Sequence, residues 1–266
     1  MQPPRINRRG FVAASVSTLL ASWSCTTTTQ PRTPDADELV ARPGTPSQSL
    51  AAGQHALGIG VSRFPGILPA RDGILYLPSA HTSANAIPLL ILLHGSGGEA
   101  SDWFGSYLQR AELHQFAMLA IDSRDDTWDL LTDGHFGADV RFIDQALGWT
   151  FNRVRVDAQR VALVGFSDGA SYALSLGISN GGLFSRIVAC SGCAVLADNL
   201  RGKPAIFASH GVEDDVLPIA QCARTYVPAL RAKGYSVEYQ EFEGGHELPD
   251  AVSTSAMSWL DTSWKT

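Results

Sequence analysis

Val161-Ala162-Leu163-Val164-Gly165-Phe166-Ser167-Asp168-Gly169-Ala170-Ser171-Tyr172-Ala173-Leu174 is the stretch on which the reading of this chain turns. It opens with an apolar run, as expected of a strand buried in a sheet. It closes with a helix-forming run. Between the two, Gly165-x-Ser167-x-Gly169 must turn the backbone abruptly from strand to helix. Such a turn holds the serine in a strained conformation, so only small residues fit two places before and after it. The Ser167 Oγ then projects above the sheet. The following helix aims its N-terminal N–H groups at any negative charge that develops there.

This strand–turn–helix resembles the nucleophile elbow of α/β-hydrolases, and the resemblance implies a serine, an acid and a histidine in that chain order. Of seven histidines, His55, His81, His94, His114 and His135 precede Ser167 and fall outside the order. His210 ends the apolar run Pro204–Ser209 and is followed by Glu213, Asp214 and Asp215, so it reads as a strand-end histidine. His246 follows Gly244-Gly245, just past the alternation Val237–Phe242, on a loop flexible enough to bring an imidazole over the serine. His246 is the expected base. By position, Glu213, Asp214 and Asp215 all qualify as the acid. The segment His210-Gly211-Val212-Glu213-Asp214-Asp215-Val216-Leu217-Pro218 resembles the H-G-x-x-D-x-x-x-P stretch of the phospholipase/carboxylesterase branch. That resemblance implies Asp214, accepting a hydrogen bond from His246 Nδ1–H.

Upstream, Ile87–Leu93 is continuously apolar, the pattern of a parallel strand covered on both faces. It runs into His94-Gly95-Ser96-Gly97-Gly98, which resembles the H-G-x-G-G oxyanion loop of the same enzymes. The resemblance implies the backbone N–H groups of Ser96 and Asp168 as oxyanion donors, each typically worth ~3 kcal/mol of barrier. No Lys-Ser/Thr pair follows, which sets aside a phosphate-binding loop. Many relatives carry glutamine after the nucleophile, whereas this chain has Asp168, an acidic side chain beside the site. The stretches Ser123–Asp129 and Gly169–Gly177 resemble a bacterial subgroup of esterases and phospholipases.

The rest of the chain supplies a scaffold. Met118–Ile121 and Arg186–Cys190 read as further buried strands, and Arg71–Pro78 as an antiparallel strand at the start of the sheet. Val140, Ile143, Leu147 and Phe151 recur at helical spacing, as do Ile219, Cys222, Tyr226, Val227 and Leu230. Pro228 should kink or break the second helix, and Gly234 should stop it. A last helix is expected from about Pro249 to Trp264. The alternation means a parallel α/β sheet, and the resemblance implies an α/β-hydrolase fold, a mostly parallel central sheet flanked by helices. No long insertion separates Cys190 from Ala205, so no large lid is expected and the site should be open to short or accessible esters. Trp103, Phe104, Trp128, Phe136, Val195 and Leu196, on strand-end loops, are candidates for a substrate pocket.

Residues 1–24 read as an export signal. Asn7-Arg8-Arg9-Gly10-Phe11-Val12 resembles a twin-arginine motif, and the apolar stretch Phe11–Ala21 is too short to span a bilayer. Cys25 follows Ser24 as a lipidated cysteine would, although Ser22 and Trp23 stand where a lipobox has leucine and a small residue. Residues 25–52, rich in Thr, Pro and Ser, read as a disordered tether, which leaves 53–266 as one catalytic domain with ample core. The formal charge is −6, and without the leader's three arginines it is −9. That argues against nucleic acid and against anionic membrane bound by charge. Apart from Cys25 there are Cys190, Cys193 and Cys222, enough for at most one internal disulfide. Cys222, on an apolar face, reads as a buried thiol, with a Cys193–Cys222 bridge open in an oxidising compartment.

Together these features predict an exported carboxylic ester hydrolase, monomer or dimer, that needs no cofactor or metal and acts on small-molecule or polymeric esters. A thioesterase, a polyester-cleaving enzyme and a non-catalytic binding protein on the same scaffold are the alternatives.

Overall fold

Leu89, Ile91 and Leu93 point to one side of their strand and Leu90 and Leu92 to the other, and all five are fully buried. The strand, β3 (Ile87–Leu93), therefore lies between two apolar layers, as the two-residue period of a strand requires of an unbroken apolar run. The computed structural model describes residues 37–62 and 70–265. In it, β3 pairs in parallel with β4 (Ala117–Ile121) on one side and β5 (Val156–Phe166) on the other. Beyond β5 the parallel array continues through β6 (Arg186–Cys190), β7 (Ala205–Gly211) and β8 (Val237–Phe242). Beyond β4 lie two antiparallel strands, β2 (Gly73–Leu77) and β1 (Gly53–Ala56). The eight-stranded order is β1-β2-β4-β3-β5-β6-β7-β8.

Helices cover both faces. α3 (Ala138–Phe151), α4 (Asp168–Ser179) and α5 (Ala223–Ala232) pack their apolar stripes into the larger core through residues such as Ile143, Leu174 and Leu230. α1 (Ser106–His114) and α6 (Asp250–Ser263) close the other face with Tyr107, Ala111, Ala256, Met257 and Leu260. A single turn, α2 (Asp129–Thr132), follows the loop after β4.

Three expectations need correction. The tether was placed at 25–52, yet from residue 37 onward the chain lies on the domain. Leu39 is fully buried, its N–H donates to Asn180 Oδ1 at 3.0 Å, and Asn180 Nδ2 donates to Asp37 O at 2.7 Å. The amides of Val40 and Ala41 donate to Asp144 Oδ1, and those of Ser47 and Gln48 to Asn152 O. A segment with few apolar residues reads as a linker, but here folded-domain acceptors satisfy its backbone instead of water. Second, Pro228 lies inside α5 without ending it; the helix runs on to Ala232. It starts four residues after Ile219, so the apolar periodicity began in the preceding turn. Third, Cys222 is not a thiol: it is bonded to Cys193, 29 residues away in sequence, while Cys190 is free and buried.

The twin-arginine-like motif, the apolar stretch after it and Cys25 lie outside the described residues. No helix among the described residues is long and apolar enough to cross a membrane.

Candidate active site

The carboxyl ends of the parallel strands carry the site. At the end of β5, Ser167 adopts φ 56° and ψ −121°, a left-handed conformation that costs a non-glycine residue roughly 1–3 kcal/mol. The surrounding packing enforces it. A Cβ on Gly165 would lie 2.2 Å from Gly169 O, and one on Gly169 would lie 2.1 Å from Leu93 O. Both glycines are therefore required by the closeness of the turn, α4 and the end of β3. Ser167 N–H donates to Cys190 O at 2.9 Å, which ties the turn to β6.

His246 sits on the loop between β8 and α6, and its ring joins Ser167 to Asp214. Nε2 lies 2.8 Å from Ser167 Oγ and Nδ1 lies 2.7 Å from Asp214 Oδ2. An ionised carboxylate only accepts, so Nδ1 carries the proton and Nε2 presents its lone pair to the serine hydroxyl. The loop reaches this position because Gly211 leaves room: a Cβ there would lie 2.3 Å from Gly245 O. Of the three neighbouring acids, Asp214 is 5% exposed, whereas Glu213 and Asp215 face solvent. Burial alone would push the Asp214 carboxyl upward. The hydrogen bond from His246 and the Leu217 N–H outweigh it and hold the carboxyl below its usual range. Oδ1 accepts from Val216 N at 3.0 Å and from Leu217 N at 2.7 Å.

The loop after β3 has its amides almost fully used. Gly97 donates to Asp126 O, Gly98 to Gly95 O, Glu99 to Asp102 Oδ2 and Ala100 to Asp122 Oδ1. Ser96 N–H has no such acceptor among the described residues. Asp168 N–H, at the first turn of α4, has no carbonyl four residues earlier in the helix to bond. The Asp168 carboxylate accepts from Thr127 Oγ1 at 2.7 Å, which fixes the side chain beside the elbow.

A cavity of about 360 Å³ opens next to this loop, lined by Gly95, Ser96, Trp103, Tyr107, Phe166 and Leu248 among others. Trp103 lines it. The other pocket candidates do not. Trp128 is fully buried, donates its indole N–H to His94 O at 2.9 Å and stacks near Tyr172. Val195 packs on the larger core; Leu196 and Phe136 border a separate cleft with Asp37 and Leu130. Phe104 packs on the smaller core.

Two residues shape the site in ways the sequence did not show. His94 Nε2 accepts Ser123 N–H at 2.9 Å, so its Nδ1 holds the proton and donates to Gly95 O at 2.6 Å. Burial lowers its pKa, helped by the charge of Arg71. Arg71 Nη2 donates to Gly98 O at 2.9 Å, bracing the same loop from the edge of the sheet. His94 stands in the H-G-x-G-G stretch, but that pattern does not mark these contacts, and Arg71 has no motif, because both act through backbone brought near only by folding. No group of His, Cys, Asp and Glu among the described residues could hold a metal ion.

A strand–Ser–helix turn, an imidazole and a buried carboxylate gather at the carboxyl edge of a mostly parallel sheet, the architecture of an α/β-hydrolase fold. More narrowly, residues 136–263 match the phospholipase/carboxylesterase family. The fold is similar to that of esterase PE8 at 23% identity and TM-score 0.60, covering 71% of this chain and 96% of that one. It is also similar to a Bacillus cereus carboxylesterase at 19% identity and TM-score 0.55, covering 72% and 94%. An S-formylglutathione hydrolase from Staphylococcus aureus gives 14% identity and TM-score 0.62, covering 80% and 99%. Comparison with curated proteins gave no match.

Proposed function

We propose that the chain hydrolyses carboxylic esters through a covalent acyl-enzyme, with Ser167 as nucleophile, His246 as base and Asp214 as the acid that orients it. The observation that carries this reading is the unbroken row of bonds Ser167–His246–Asp214, at 2.8 and 2.7 Å, beside an open cavity. Ser167 Oγ attacks the acyl carbon while His246 Nε2 takes its proton. The carbonyl oxygen, now negative, is held by the amides of Ser96 and Asp168. His246 then returns the proton to the leaving alcohol, and water releases the acyl group by the same steps. Asp214 stabilises the imidazolium without itself taking the proton.

The cavity is of a size usual for small-molecule sites. Its walls of Trp103, Tyr107, Phe166 and Leu248, and the helix-free connection between β6 and β7, favour short or accessible esters over long buried lipid chains. We also propose export to an oxidising compartment. The Cys193–Cys222 disulfide supports it, since such bonds persist where thiols are not kept reduced.

A fluorophosphonate probe should label the wild type at Ser167. Ser167→Ala should lose both labelling and nitrophenyl ester turnover while keeping the wild-type circular dichroism spectrum. Turnover above a few per cent in a folded Ser167→Ala enzyme would overturn the mechanism.

A further inference from the structure

His210 cannot be the base in the chain order of this fold, yet it touches the acid. It is the penultimate residue of β7 and is fully buried. Its Nε2 lies 2.7 Å from Leu217 O and 3.1 Å from Asp214 Oδ2. A peptide carbonyl can only accept, so the 2.7 Å contact puts the proton on Nε2. That N–H is shared between Leu217 O and the carboxylate oxygen that also receives His246 Nδ1–H. With Val216 and Leu217 N–H on Oδ1, the Asp214 carboxylate meets four donors, two on each oxygen. The charged groups that act on His210 are Asp214 and Glu241; Glu241 faces it in the β7–β8 register and is itself paired with Arg224. His210 Nδ1 is buried without a hydrogen-bond partner among the described residues.

We propose that His210 is a positioning residue for ester hydrolysis. Its N–H, oriented by Leu217 O, stops the Asp214 carboxylate from rotating away from His246 and draws off part of the Oδ2 charge that His246 would otherwise feel. Leu217 closes the arrangement, since its N–H holds Oδ1 while its carbonyl holds the histidine that braces Oδ2. The inference rests on the assignment of Asp214 as the acid.

The test compares His210→Gln, His210→Asn and His210→Met with the wild type on a nitrophenyl ester. The glutamine amide reaches roughly as far as Nε2 and keeps a donor for Asp214. The asparagine amide is one bond shorter and does not reach, and methionine has no donor. Asn and Met should lower kcat about 10–100-fold, the range expected from a hydrogen bond to a charged group, with KM nearly unchanged. The acid limb of kcat/KM should move up by about half a pH unit, because Oδ2, freed of His210, stabilises the His246 imidazolium more strongly. The downfield proton resonance of His246 Nδ1–H should shift in parallel. Gln should restore all three readouts.

If Asn and Met lower only the melting temperature, with kcat, pH profile and resonance unchanged, His210 merely packs and the proposal fails. Should Met not fold, the Gln and Asn pair decides by the same criteria, and equal behaviour of the two refutes the proposal. Asp214→Asn, measured alongside, separates the two levels. An active Asp214→Asn overturns the acid assignment itself. An inactive one, beside unaltered His210 variants, overturns only the role given to His210.

Discussion

Replacing Asp214 with asparagine changes one atom and should disable the enzyme, for a reason that can be counted from its contacts. Four N–H groups converge on the carboxylate: Val216 and Leu217 amides on Oδ1, His246 Nδ1 and His210 Nε2 on Oδ2. An asparagine side chain offers one accepting oxygen and one donating NH2 group. With the oxygen toward His246, the NH2 meets two backbone N–H groups that have no other form. With the oxygen toward the backbone, the NH2 meets the imidazole, and His246 can respond by moving its proton from Nδ1 to Nε2. The second arrangement is the less costly. It also removes the Nε2 lone pair that faces Ser167 Oγ at 2.8 Å. The comparable change in a serine protease costs ~10⁴ in turnover, or about 5–6 kcal/mol of barrier. Steady-state hydrolysis of a nitrophenyl ester should show a loss of that order in Asp214→Asn, with the fold retained by circular dichroism. Glu213→Gln and Asp215→Asn, whose side chains face solvent, should stay within about tenfold, ~1.4 kcal/mol. A crippling Asp215→Asn beside a mild Asp214→Asn would refute the reasoning.

Gly169→Ala would drive a Cβ to 2.1 Å from Leu93 O and 2.4 Å from His94 O. Relief requires a shift of about 1 Å at the strand end that carries the Ser96 amide, so turnover should fall ~10²-fold. Gly148→Ala, inside α3 with nothing within 4 Å of the new carbon, should instead stabilise by about 0.5–1 kcal/mol in urea titrations; a destabilising result would contradict the packing described. The Cys193→Ser/Cys222→Ser double variant should lose about 3–4 kcal/mol of unfolding free energy in guanidinium, given the 29-residue separation, and an unchanged midpoint would count against the bridge. Burial raises the Asp139 carboxyl to about 6, against the pull of its backbone hydrogen bonds. The native state then holds a proton that the unfolded chain has already released, so this group's contribution to stability falls as pH rises from about 4 to 6 and is level above that. Denaturant midpoints across that range should slope less in Asp139→Asn, and an equal slope would refute the shift.

The alternation of apolar runs with helical periodicity made most of the parallel sheet and α3, α4 and α6 legible. The Gly-x-Ser-x-Gly turn marked Ser167, chain order then singled out His246, and the H-G-x-x-D resemblance pointed to Asp214; the structure joins the three by hydrogen bonds. What stayed hidden depends on contacts distant in sequence. Trp128 looked like a pocket residue because an aromatic side chain on a strand-end loop fits either role. Only the fold shows His94 O waiting for its indole N–H. Arg71 braces the loop after β3 from 27 residues away in sequence, through a carbonyl that no side-chain pattern marks. The short β1 and α1 were not anticipated, and their local apolar signal is weak. Residues 37–48 were misread because their anchors, Asp144, Asn152 and Asn180, lie on the far side of the sequence from them.

That anchoring ties the first described residues to the helix that carries the nucleophile. Ser167 caps the beginning of α4 and Asn180 its end, twelve residues and ~18 Å apart along the helix axis. Asp37 and Leu39 are fastened to Asn180, so this segment and Ser167 hold opposite ends of one helix. Loosening the contacts of Asp37 and Leu39 would therefore free the far end of the helix whose first turn carries the nucleophile.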